Sequence, residues 1–86
     1  MNDGPRQAGA SWQPVRYCVE TDTMAIELRP WPGREDNSVA EDAGTDLVIH
    51  YAPYGAPWLW EIEHASVHPE HIAAALAALR RAAMAA

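Results

Sequence analysis

The segment "WLWEIEHASVHPEH", residues 58 to 71, sets His64, His68 and His71 within eight positions and places Glu61, Glu63 and Glu70 around them. Imidazole nitrogens are common ligands of zinc-like ions, and a ligating histidine is usually oriented by a second acceptor, which these glutamates could supply. A metal-dependent or hydrolytic site built on the three histidines is therefore one reading. The other is a structural junction: His64 ends a strand, His68 precedes a helix and His71 lies on its first turn. The three converge only if the chain bends in a particular way between them, and the junction is the expected reading.

Two further groupings have the residue types for catalysis. Glu61 and Glu63 lie on one face of a strand, roughly 6.5 to 7 Å apart. Their cross-strand neighbours should include Arg16, Glu27, Arg29 and His50, the composition of a solvent-facing sheet surface with charge pairs. Cys18 points to that same face, where His50 could approach it, but no third residue is placed to orient the histidine. An enzyme also needs a concave site with perturbed pKa values, and a small sheet under one helix has little depth. No catalytic residue and no cofactor is expected.

The elements that carry these residues follow from periodicity. Residues 1 to 13 mix Gly, Pro, Asn, Ser and Gln without period and read as a flexible arm ending near Trp12. Residues 14 to 84 read as one small domain. From Pro14 the period becomes two: Val15, Tyr17 and Val19 face one way, Arg16, Cys18 and Glu20 the other. After the polar turn "ETDT", a second strand from Met24 to Arg29 turns Met24, Ile26 and Leu28 inward, completing a hairpin. "PWPGREDN" is a loop carrying Trp31, since proline cannot donate to a ladder. "SVAEDAG" has room for a short strand around Val39. Asp46 to Tyr51 alternates with Leu47, Ile49 and Tyr51 inward, and Pro57 to Glu63 alternates with Trp58, Trp60 and Ile62 inward.

The period then changes to that of a helix. Pro69 suits the first helical position, where its missing N–H costs nothing, and Glu70 suits the positive end of the helix dipole. Ile72, Leu76, Leu79 and Ala83 form the expected apolar stripe. The fold class is thus α+β: a four-stranded, mainly antiparallel, meander-like sheet with one C-terminal helix packed on one face. Four strands span about 20 Å while one helix covers about 10 to 12 Å. Part of the apolar face is left over, for Trp12 and Trp31 or for a second chain to cover. Trp12, Trp31, Trp58 and Trp60 are accordingly the candidate interaction surface.

Bulk properties narrow the partners. The chain has 86 residues and a net charge of −6, with twelve carboxylates against six scattered arginines. A polyanion-binding surface needs a basic patch, so no nucleic acid partner is expected. No apolar run approaches the ~20 residues of a membrane span. One cysteine excludes an internal disulfide, and no signal-peptide pattern opens the sequence, which together point to a cytoplasmic setting. With no phenylalanine, the four tryptophans must supply much of the bulky packing.

"VRYCVETDTMAIEL" followed by an acidic stretch and "DLVIHYAPYGAPWLWEIEHAS" resembles DUF2283, a family of small bacterial proteins of unknown function. Tyr17, Asp22, the alternation from Met24 to Leu28, Gly55, Glu61 to Glu63, and Ala65 with Ser66 carry the resemblance over residues 15 to 66. Cys18 stands where the family usually has Asp, and "HYAPYG" replaces its usual acidic turn. The resemblance implies a compact antiparallel sheet and an antitoxin-like or protein-binding role, with no activity attached. A non-catalytic interaction domain, forming a homodimer or binding a small partner protein, is the function expected.

Overall fold

The computed structural model describes residues 13–30, 39–53 and 55–85. The expected arm, apart from residue 13, and the tryptophans Trp12 and Trp31 lie outside them. Five strands, β1 (Val15–Cys18), β2 (Thr23–Glu27), β3 (Val39–Gly44), β4 (Leu47–Tyr51) and β5 (Pro57–Glu63), precede a 3₁₀ turn at Ala65–Val67 and helix α1 at Pro69–Ala85. The α+β class is as expected. The strand number is five rather than four, because β3 is a full strand in which every residue is exposed. An edge strand with no buried face has no alternation to betray it.

The strand order is β1-β2-β5-β4-β3, with every pair antiparallel. This corrects the meander: β2 is followed along the sheet by β5, not β3. The 11-residue connection from Glu27 to Val39 is long enough to carry the chain across, so the preference of short connections for adjacent strands does not apply there. The last strand in the sequence, β5, lies between the two hairpins and joins them into one sheet.

Register places the large apolar side chains together. Ile62 lies opposite Met24 on one side and Leu47 on the other, and Trp60 opposite Ile26 and Ile49. Ile26 and Ile62 have no exposed surface, and Leu28, Leu47, Ala65, Ala75 and Ala78 complete the core, with Trp60 packed against it. Trp58 behaves differently. A register shift between His50 and Tyr51 pairs Leu59 and then Pro57 with successive residues of β4, leaving Trp58 as the extra residue of a bulge. Its ring sits edge-on to His50, at 6.3 Å between centroids, rather than in the core cluster.

Helix α1 packs chiefly over β2 and β5. Its buried face is centred on Ala75 and Ala78 and flanked by Ile72, Leu79 and Ala82. The expected stripe is thus rotated: Leu76 is 42% exposed, and Ala83 also faces out. Alanines at the centre let the helix axis come close to a sheet whose own bulk is already supplied by Ile26, Ile62 and Trp60, and a leucine there would overfill the gap. No helix among the described residues is long and apolar enough to cross a membrane.

Deleting a buried branched side chain costs about 2–5 kcal/mol, while a surface substitution costs less than about 0.5 kcal/mol. Chemical denaturation should therefore show Ile62→Ala in the first range and Leu76→Ala in the second. Equal losses would place Leu76 in the helix–sheet interface after all.

Candidate functional site

Antiparallel pairing on both sides of β5 brings three chain reversals to one end of the sheet: the β1–β2 turn, the β3–β4 turn, and the point at which β5 gives way to the 3₁₀ turn. Among the described residues three non-glycine positions have left-handed backbone conformations, and all are here: Asp22 (φ 54°), Asp46 (φ 59°) and His64 (φ 52°). Aspartate and histidine are among the residue types that enter this region with least cost. Each marks one of the three reversals.

Asp22 fastens the first hairpin to the junction. Its carboxylate accepts the Tyr17 hydroxyl at 2.6 Å and both the amide and the hydroxyl of Ser66, at 3.1 and 2.7 Å, while its carbonyl accepts the Ala65 amide at 2.9 Å. The hydrogen bond from Tyr17, followed by that from Ser66, holds the Asp22 carboxyl below the usual carboxylate range. The same bond to Asp22 raises the Tyr17 phenol, because losing the proton would set two negative oxygens side by side.

Asp46 does the equivalent for the second hairpin. Its carbonyl accepts the Glu63 amide at 2.9 Å, and its carboxylate oxygen Oδ2 lies 2.9 Å from His68 Nε2 and 3.2 Å from His64 Nδ1. His68 reaches Glu70 Oε2 with its other nitrogen, Nδ1, at 3.0 Å. A carboxylate can only accept, so both ring nitrogens of His68 donate and the ring is an imidazolium while both bonds hold. The Glu70 bond first, and then the Asp46 bond, raises the His68 pKa above the ordinary histidine value. Their own carboxyls are lowered in return, each mainly by the bond from His68. His71 stacks on His68 with ring centroids 4.7 Å apart and donates from Nε2 to the Thr45 carbonyl at 2.8 Å.

His64 and His68 therefore meet at Asp46, a residue that the spacing of the histidines alone does not announce, and His71 joins them by stacking on His68. Their arrangement is not that of three ligands around one ion. His68 has both nitrogens engaged with carboxylates and His71 spends Nε2 on a carbonyl, whereas His64 is 66% exposed on its side chain. Elsewhere, Arg16 pairs with Glu27 at 3.4 Å and His50 with Glu61 at 2.7 Å, giving the charged outer face its cross-strand partners. The Cys18–His50 pairing does not form: β2 and β5 separate their strands, a lateral distance of about 14 Å. Cys18 is exposed and instead donates to Glu20 at 3.4 Å.

No family model, curated protein or solved structure matches the chain.

The His68 network makes stability depend on pH in a defined direction. Because the folded His68 pKa is raised, its contribution is complete below the free-histidine value of about 6.5 and is lost as pH rises through the higher folded value. Asp46 and Glu70, being lowered, contribute above their unfolded pKa values of about 4 and lose that contribution as pH falls through the folded ones. In chelator-treated protein, thermal unfolding should show wild type exceeding His68→Gln most at about pH 6 and less at about pH 9. A difference independent of pH would mean that His68 acts by shape alone.

Proposed function

We propose that the chain is a small non-catalytic interaction domain that associates with a second copy of itself along the outer edge of β1. The observation that carries this reading is the condition of that strand. Every residue of β1 is exposed, and on the helix side of the sheet Val15 and Tyr17 remain 42% and 46% exposed beside a core that α1 covers chiefly over β2 and β5. Among the described residues β1 has one neighbour, β2. An edge with a free ladder and an apolar flank is a template for adding a strand. Two such edges meeting antiparallel about a twofold axis would make one continuous sheet and bury both flanks.

Trp58 lies beside His50 and Trp60 packs against the core, so the surface proposed here is centred on β1 rather than on these two residues. A basic small partner protein, in an antitoxin-like pairing, is a second reading; the net charge of −6 favours it because opposite potentials speed encounter and select partners. The resemblance to DUF2283 is compatible with either, and the cytoplasmic setting belongs to the same proposal. A hydrolytic site finds less support, since His68 and His71 are committed to intramolecular bonds.

Native mass spectrometry of untagged protein should show a dimer, and Val15→Lys should return a monomer, with an unfolding free energy changed by less than about 0.5 kcal/mol since the site is exposed. A wild-type monomer, or a dimer that Val15→Lys leaves intact, would contradict assembly through β1.

A further inference from the structure

Among the described residues two groups of side chains at the junction have donor atoms close enough to share an ion: His68, Glu70 and His71 form one, and Asp46, Glu63 and His64 the other, the atoms within each lying no more than 4.8 Å apart. Electrostatics separates them. The first group sits at the amino-terminal end of α1, where the helix dipole is positive and opposes a cation, and His68 is already bonded at both nitrogens. The second lies on the β3–β4 turn and at the end of β5, outside the helix, with His68 at the helix start bonded to its Asp46 oxygen. It brings two carboxylates and one imidazole.

We propose that Asp46, Glu63 and His64 bind a divalent transition-metal ion of the zinc class. Around an ion held at about 2.0–2.1 Å in tetrahedral coordination, neighbouring donor atoms stand roughly 3.3 Å apart. Asp46 Oδ2 and His64 Nδ1 are already 3.2 Å apart. Backbone geometry fixes two of the ligands before the ion arrives: the Glu63 amide donates to the Asp46 carbonyl at 2.9 Å, which ties the β3–β4 turn to the last residue of β5. His68 donates to Asp46 Oδ2 and is the positioning residue, the hydrogen-bonded partner that ligating carboxylates commonly have.

Access and charge are consistent with this role. Asp46 and Glu63 line an open hollow of about 360 Å³ together with Asp42 and Gly44, so both carboxylates are reached from solvent, and His64, outside that lining, is itself 66% exposed on its side chain. Two carboxylates and a neutral imidazole carry a charge of −2, which attracts a divalent ion and which the His68 imidazolium on Asp46 offsets by one. The imidazole selects zinc, copper or nickel over calcium, which takes an all-oxygen shell. Binding would join the second hairpin to the start of the junction and so stabilise the folded chain by linkage.

Isothermal titration of untagged, chelator-treated protein with zinc chloride tests the assignment, with calcium chloride as the comparison. The result expected is one zinc per chain, a rise in unfolding temperature with zinc, and no saturable calcium binding. His64→Asn keeps a side chain tolerated at positive φ while removing the imidazole, and should weaken zinc by more than about tenfold; His68→Asn should weaken it by about tenfold through Asp46. His50→Gln, outside the site, should leave affinity unchanged. Absence of zinc binding to wild type, or equal affinity in wild type and a His64→Asn protein with unchanged circular dichroism, would overturn the proposal.

Discussion

The carboxylate of Asp22 accepts the amide and hydroxyl of Ser66, and its carbonyl accepts the amide of Ala65, so that the first hairpin turn is bonded to the place where the chain leaves the sheet. That contact spans 44 residues and fixes the direction of everything beyond β5. Ala65 is thereby held at 1% exposure under the end of the sheet, the 3₁₀ turn follows, and Pro69 starts α1 over β2 and β5. Asp46 repeats the arrangement from the other hairpin, through the Glu63 amide and the His68 ring. The core is thin, with Ile26 and Ile62 its only large side chains fully buried among the described residues. Polar fastening at the junction therefore carries a share of the specificity that a larger domain would draw from packing.

Left-handed backbone at Asp22, Asp46 and His64 follows from the same requirement. Each of three chain reversals must turn within a few residues and present a side chain to the others, and aspartate and histidine meet both demands where glycine would meet only the first. Charge balance at the junction is arranged in parallel: two carboxylates flank His68, and its positive ring faces them from the start of a helix whose dipole it would otherwise burden. Glu70 in the first turn offsets that burden. Tyr17 ties β1 to this clasp at one end, while all four residues of the strand stay exposed, which is the reason association is proposed along its outer edge.

What could be read in the sequence follows from which features repeat. Strands β2, β4 and β5 have one buried face, so their alternation is visible, and the Pro57–Glu63 boundaries of β5 coincide with those expected. Pro69 and Glu70 mark the start of α1 by local chemistry alone. Strand β3 is invisible to periodicity because "VAEDAG" buries nothing and contains poor strand formers; pairing with β4 holds it. The helix stripe was legible in its period but not its phase: large residues draw the eye to Leu76, whereas the sheet accepts the small ones at Ala75 and Ala78. At the junction the histidines stand out, yet Asp22 and Asp46 look like ordinary turn residues. Their partners are supplied by strand order, which no local pattern encodes. Trp58 stands apart from the core cluster for a related reason, since a bulge interrupts the alternation at that residue.

The central claim is that Asp22 and the junction residues act as a unit, and a double-mutant cycle on Asp22 and Ser66 tests it most directly. Any backbone strain from placing alanine at the left-handed position 22 is common to both arms that contain Asp22→Ala and cancels in the cycle. Equilibrium denaturation of wild type, Asp22→Ala, Ser66→Ala and the double variant should show the double variant losing clearly less than the sum of the two single losses. Simple additivity would mean that the two residues stabilise the fold independently, and would contradict the account of the junction as one bonded clasp.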